Sequence, residues 1–341
     1  MADTMKKSGI AVAGTLLADV FFKIPTYPKE GMLTQAEPVG ISIGGTGNII
    51  LDLARLDSKL PVLAVALLGE DDTAKEILSV LKKHENIRTD LIKKEGGSSR
   101  TLVFNSSDTR ERSFFFVPES SDRFSIDHID FDKIDSKIFL LEYLLLLKTV
   151  DSPDPEYGTH GAKILAEAKR RGMICAIDVV SEAGDRAKGI VTAALKYTDI
   201  CCINELEASA VTGIPLSELC SDDEKIADTA AAAAIEELRK AGVSKWIVIH
   251  KKELAWGMDT AEGKLIKVES LRLPEGYVKG STGAGDAFLS GILYGAHEGY
   301  SLPDAMRLAR ATAAASLSEN NGTDGMRPLS EVKKLEELYS K

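Results

Sequence analysis

The sequence predicts an α/β fold in three layers, with helices on both faces of a mainly parallel sheet and a small β-sheet lid. Three observations lead there. Short apolar runs rich in β-branched residues alternate with amphipathic or alanine-rich runs, the pattern of strands that are each followed by a covering helix. Two stretches, about 19–43 and 98–118, break that rhythm without a convincing helix. There is neither an internal repeat nor a low-complexity linker, so the 341 residues read as one domain, 1–341, although the length alone would also allow two.

Taken in order, strands are expected at 9–13, 62–67, 138–141, 174–178, 199–203 and 246–250, each a short apolar run. Helices are expected at 48–56, 73–83, 159–171, 205–212, 226–241, 284–298 and 303–318, where the spacing is helical or, as at 230–234, alanine supplies strong helix propensity. Residues 19–43 are rich in Pro and Gly; 101–105 and 113–117 read as a hairpin around 106–112. Together they form the expected lid. In such a fold, ligands sit beyond the carboxyl ends of the strands.

Composition narrows the function. The apolar share of 44% and charged share of 28% are those of an ordinary soluble globular protein. A net charge of −10 argues against a general nucleic-acid or anionic-membrane binder, while leaving room for a local anion site. Cys175, Cys201, Cys202 and Cys220 form no CxxC pair and read as buried structural thiols of a reducing compartment. Cys201 and Cys202 should point to opposite faces of one strand. The first eight residues are polar, without the apolar core of a signal peptide, and the apolar run 138–147 is too short to span a membrane. A cytoplasmic enzyme is the expectation.

Chemistry concentrates in Gly280-Ser281-Thr282-Gly283-Ala284-Gly285-Asp286-Ala287-Phe288. Small residues let backbone amides approach a ligand closely, and a helix N-terminus adds unpaired donors and a positive dipole end. That makes an anion hole. Asp286 in the first turn also has a plain structural reading, as a carboxylate that stabilises the helix end. The run resembles a signature of the ribokinase (PfkB) carbohydrate kinase family, D-T-x-G-A-G-D, matched at Thr282, Gly283, Ala284, Gly285 and Asp286. The resemblance implies a ribokinase-like fold and ATP-dependent phosphorylation of a sugar hydroxyl. Asp286 is then the base, and Gly283, Ala284 and Gly285 hold the transferring phosphoryl group. The family often has an aspartate that helps hold a monovalent cation at the position of Gly280. Glycine cannot do so, which counts against potassium activation.

Two further segments resemble family motifs in the family's order. Gly44-Gly45-Thr46-Gly47-Asn48, followed by Ala54-Arg55-Leu56, resembles the first signature. The resemblance makes Gly44, Gly45 and Asn48 sugar contacts, with Asp19 as the carboxylate after the first strand. Asn48 also reads as a helix N-cap and Asp19 as a solvated loop acid. Asn204-Glu205-Leu206-Glu207 resembles the N-x-x-E motif, which implies that Asn204 and Glu207 lie near Mg²⁺ and the triphosphate, largely through water. An N-cap followed by first-turn acids accounts for the same residues.

The run His250-Lys251-Lys252-Glu253-Leu254-Ala255 stands where relatives have T-x-G-x-x-G. His250 and Lys252 are candidate nucleotide contacts, against the alternative of a polar strand end and a solvated lysine. Glu142 interrupts an apolar strand, and a buried carboxylate needs a reason; a substrate contact or a pair with Lys148 or an arginine would supply one. Asp178 ends a central strand and is expected to line the sugar or phosphate site. Arg110 and Arg112 belong to the lid hairpin, either over the sugar or at a solvated tip. Closure of a lid would exclude water that otherwise accepts the phosphoryl group.

Other enzyme classes lack their motifs. There is no GxxxxGK[ST], no GxGxxG after the first strand, no GxSxG and no HExxH. The expected ligands are ATP, Mg²⁺ and a small sugar, with no nucleic acid or membrane and with a lid-mediated homodimer implied by the resemblance. A nucleoside kinase of the same fold and a non-catalytic sugar- or nucleotide-binding regulator stay open as alternatives.

Overall fold

The first strand, β1 (Ile10–Gly14), is buried along its whole length and lies between two parallel neighbours. A strand so placed must be apolar on both faces, and Ile-Ala-Val-Ala-Gly is. The computed structural model describes residues 7–109, 111–182 and 184–340; Arg110 lies outside the described residues. Directly after β1 the chain leaves the main sheet to make two lid strands, β2 (Leu16–Ile24) and β3 (Glu37–Gly45). It returns through helix α1 (Thr46–Leu56), β4 (Val62–Leu68) and α2 (Asp72–Leu81). The hairpin β5 (Arg100–Ser106) and β6 (Arg112–Val117) completes the lid.

The rest of the chain builds the other half of the sheet: β7 (Ile138–Leu144), α3 (His160–Arg170), β8 (Ile174–Val179), α4 (Ala187–Leu195), β9 (Ile200–Asn204), α5 (Glu205–Thr212), α6 (Glu224–Ala241) and β10 (Trp246–His250). An antiparallel pair follows, β11 (Leu254–Asp259) and β12 (Lys264–Glu269), and then α7 (Ala284–Glu298), α8 (Leu302–Ser316) and α9 (Leu329–Tyr339). The order across the sheet is β12-β11-β10-β9-β8-β7-β1-β4, with the two-residue strands Ile87–Arg88 and Lys93–Lys94 beside β4. Pairing is parallel from β4 to β10 and antiparallel beyond. The lid is a separate four-stranded sheet in the order β3-β2-β5-β6.

Alternate residues of each central strand enter two different cores. Ile10, Val12, Ile200 and Cys202 face the side packed by α1, α7 and α8. Ala11, Ala13, Cys201 and Ile203 face the side packed by α3, α5 and α6. The vicinal cysteines thus separate across the sheet as the strand period requires, and burial pushes both thiols well above their ordinary pKa.

The structure extends the expected elements in two ways. The lid strands begin at Leu16 and end at Gly45, nearer the core than 19–43, because Thr15 and Gly45 join lid and sheet with almost no loop between them. Gly45 has φ +61°, and a Cβ there would lie 1.9 Å from the Thr15 carbonyl oxygen, so only glycine fits this junction. Helices α4 and α9 and strands β11 and β12 add to the elements expected from sequence. None of the described helices is long and apolar enough to cross a membrane.

Candidate active site

Five central strands end at one edge of the sheet and deliver Gly14, Glu142, Asp178, Asn204 and His250 to it. The N-termini of α1, α5 and α7 point to the same edge, where an open parallel sheet binds ligands. Of the acidic candidates from the sequence, Asp19, Glu142, Asp178, Glu207 and Asp286 gather here. Lys252 stands on the exposed turn between β10 and β11.

Asp286 lies at the centre. It is only 8% exposed, although it belongs to the first turn of α7. Its carboxylate does not cap its own helix. One oxygen accepts from Asn48 Nδ2 at 2.8 Å and the other from the Tyr143 hydroxyl. Burial raises the Asp286 pKa, and these two donors oppose the rise by favouring the ionised form. Tyr143 itself is held far above its ordinary pKa, by burial first, and so stays a donor.

Asn48 is not the cap of α1. Gly45 holds that position, and Asn48 sits one turn in, with its amide turned to Asp286. A Cβ on Gly44 would lie 2.5 Å from Asp19 Oδ2, so the Gly44 backbone runs directly against the Asp19 carboxylate. Asp19 stands on β2 beside Thr101 of β5. Burial pushes it up to about 6, opposed by the Thr101 hydroxyl and reinforced by the charge of Asp286. Asp19, Gly44 and Asn48 therefore form one polar wall leading to Asp286. Asn48 Oδ1 is buried and has no hydrogen-bond partner among the described residues.

On the other side of Asp286, Tyr143, Asp178, Asn204, Glu207, His250 and Gly285 line a cavity of about 240 Å³. Gly283 starts α7 at φ +76°, and no side chain caps the helix. A Cβ on Gly283 would lie 2.5 Å from Gly322 Cα, so two glycines make this close crossing. Ala284 N donates to the Ser281 carbonyl at 3.3 Å, and no side chain caps the amides that follow. His250 closes the wall: it stacks on Phe288 with ring centroids 5.0 Å apart, and burial pushes it down to about 4, so it faces the cavity neutral.

Asn204 and Glu207 form a closed capping box. Asn204 Oδ1 accepts from Glu207 N at 2.9 Å, and Glu207 accepts from Asn204 N at 2.9 Å and Asn204 Nδ2 at 2.8 Å. Ser181 Oγ donates to the same carboxylate at 2.8 Å. Burial still raises Glu207 to about 7. Asp178 is open by comparison: its one hydrogen bond among the described residues comes from the neighbouring Val179 amide. Among the described residues no three His, Cys, Asp or Glu side chains cluster as a ready metal site.

Among the described residues Glu142 pairs with neither Lys148 nor an arginine. It is fully buried, both oxygens lack partners, and burial followed by the charge of Asp286 raises its pKa far above the usual range. Asp52 of α1, one turn beyond Asn48, is in the same condition. Sequence reasoning missed Tyr143 and Asp52. Asp52 had a signal, since an acid interrupts the apolar stripe of 49–56. Tyr143 had none, because a tyrosine in an apolar strand reads as core. Arg112 donates from the lid to Thr282 Oγ1 at 2.8 Å, linking the lid to the glycine turn.

Residues 8–328 match the family model described as pfkB family carbohydrate kinase. The chain belongs to that family. Solved structures agree in fold. A ribokinase from Arabidopsis thaliana, complexed with ribose and ATP, superposes with a TM-score of 0.79 at 23% identity, covering 97% of this chain and 99% of the other. A ribokinase from Thermotoga maritima gives 0.77 at 19%, covering 96% and 99%. A fructokinase from Xylella fastidiosa with bound ATP gives 0.72 at 20%, covering 97% and 98%. The family accounts for the large mostly parallel sheet and the separate small sheet.

Proposed function

We propose that this chain transfers the γ-phosphoryl group of ATP to a hydroxyl of a sugar or sugar derivative, with Asp286 as the general base. The observation that carries the reading is the position of Asp286 at the junction of two differently built spaces. The wall of Asp19, Gly44 and Asn48 offers carboxylate, backbone and amide groups matched to a polyol. The start of α7 offers amides matched to a phosphoryl group. A carboxylate placed between them takes a proton from the acceptor hydroxyl while that oxygen attacks phosphorus. The new bond joins the acceptor oxygen to phosphorus, the bond from phosphorus to the β–γ bridging oxygen breaks, and ADP leaves with that electron pair. Asn48 and Tyr143 donate to the base and favour its ionised form against the rise that burial causes.

The donor-side cavity suits a hydrated Mg²⁺. Asp178 has free lone pairs, whereas the Asn204–Glu207 pair is already satisfied internally, so Asp178 would hold the ion through its waters, with Asn204 and Glu207 beside it. When bound, the ion neutralises triphosphate charge among several carboxylates. The residues at Gly280 do not fit a cation held by an aspartate. A Cβ there would lie 3.1 Å from the Asn320 Cα, and Lys279 instead bridges the same two loops to Glu319 at 3.1 Å.

Ile41 and Phe115 are exposed on the same face of the lid sheet, and on this face we place a second copy of the chain. The four free thiols fit a reducing cytoplasm. A nucleoside remains among the acceptors to test, because Phe21 lines the lid side of the cleft and offers a stacking surface.

The reading is tested by ADP release across hexoses, pentoses, sugar acids and nucleosides. Turnover with a sugar supports it, turnover with nucleosides alone moves the acceptor class, and ligand binding without any turnover contradicts it.

A further inference from the structure

We infer that Arg112 is a lid-borne catalytic arginine that contacts the transferred phosphoryl group when the lid is closed; this rests on the kinase reading above. Arg112 opens lid strand β6, half-buried, opposite Asn105 of β5. Its hydrogen bond to Thr282 Oγ1 crosses from the lid to the residue preceding Gly283, the cap of the uncapped helix. A guanidinium carries five donors, and Arg112 uses one of them on a neutral hydroxyl. It forms no ion pair among the described residues. The nearby acids are already engaged: Glu319 with Lys279 at 3.1 Å and Asp324 with Arg55 at 3.4 Å. Those two acids, Arg112, Asn105 and Phe21 line one cavity of about 300 Å³ beneath the lid. Asn105 Oδ1 there is buried without a partner.

The rest of the site makes that unspent charge necessary. The carboxylate of Asp286 lies beside the α7 amides where the phosphoryl group must end, and Lys252 stands outside the lining of that cavity on its exposed turn. Anionic oxygens arriving at the α7 amides meet repulsion unless a cation arrives with them. Arg112 adds a cation carried by the protein to the charge that a hydrated Mg²⁺ would neutralise, and it does so only when the lid lies over the site. Closure then completes the electrostatics of transfer as well as excluding water, so that ATP is not spent before an acceptor is enclosed.

The test compares Arg112→Ala, Arg112→Gln and Arg112→Lys in the full-length protein, with the sugar and the ATP dependence measured separately. Loss of one preorganised donor to a transition-state charge lowers kcat by roughly 10²–10³-fold. That loss is expected for Ala and Gln, with partial recovery for Lys and little change in the KM for ATP. Binding of ADP with aluminium fluoride and sugar, a mimic of the planar phosphoryl group, should weaken in parallel. Gln can keep the bond to Thr282 without the charge. Recovery with Gln but not Lys would reduce Arg112 to a mechanical clasp and overturn the inference. So would unchanged kcat in the Ala variant, or a loss confined to the KM of acidic acceptors. An unaltered protein that phosphorylates nothing would fail the kinase reading itself, a result separable from these.

Discussion

Replacing Tyr143 with Phe removes one hydroxyl from the site and almost nothing else. In the structure that hydroxyl donates to one oxygen of Asp286, while Asn48 donates to the other at 2.8 Å. Burial is the largest influence on Asp286 and raises its pKa; the two donors act against it. A hydrogen bond to a charged group contributes about 1.5–3 kcal/mol, which corresponds to about 1–2 pKa units for the acceptor. Without the Tyr143 donor the ionised carboxylate loses that stabilisation and Asp286 takes up its proton at higher pH. The sign follows directly: activity needs the ionised base, so the acid limb of kcat/KM against pH moves upward by about 1–2 units. Well above the new limb the rate should approach that of the unaltered protein, because the base is intact. The assay is a pH profile of kcat/KM with the best acceptor, beside a Tm measurement to show that the fold survives. An acid limb superimposable on that of the unaltered protein would refute the claim that Tyr143 tunes the base. A rate lowered equally at every pH would instead assign Tyr143 to packing or substrate contact.

Two other substitutions probe different parts of the account. Gly283→Ala forces a side chain into φ +76° and to within 2.5 Å of Gly322 Cα; left-handed strain of about 1–2 kcal/mol and overpacking of about 1–3 kcal/mol predict either a clear fall in Tm or a displaced glycine turn with a large loss of kcat, and no change in either would contradict the crossing. Asp19→Asn should cost sugar affinity yet gain relative stability with pH: the folded pKa of about 6 lies above the ordinary carboxylate value, so burial of Asp19 is harmless near pH 4 and destabilising as pH rises through 6. Thermal melts across that interval should show the Asn variant rising against the unaltered protein, and parallel curves would sink the argument.

Much of this architecture was legible before the coordinates. Central strands such as Ile10–Gly14 and Val62–Leu68 are apolar throughout because both faces are covered, and the sequence shows that plainly. The Gly44–Asn48, Asn204–Glu207 and Thr282–Asp286 segments could be read because glycine turns and capping residues have local causes. What stayed hidden depends on distant chain pairing. Strand β2 alternates poorly and contains Asp19, so its extent appears only when β3 and β5 pair with it. Helix Ala187–Leu195 and the antiparallel strands at the sheet edge lacked strong periodic signals beside their neighbours. Asn48 looked like a cap and proved to be a partner of Asp286, 238 residues away. No local pattern announces that pairing, nor the meeting of Arg112 with Thr282. Lys252 differs, since its charge suggests a phosphate contact and the structure places it on an exposed turn outside the lining of the Asp286 cavity.

The central claim is that Asp286 takes the proton from the acceptor. Single-turnover phosphorylation by Asp286→Asn, with ATP binding measured on the same sample, tests it most directly. Asparagine keeps the shape of the side chain and removes the base, so the transfer rate should fall by roughly 10²–10⁴-fold while ATP binds with nearly unchanged affinity. A transfer rate close to that of the unaltered protein would contradict the claim and move the base to another carboxylate.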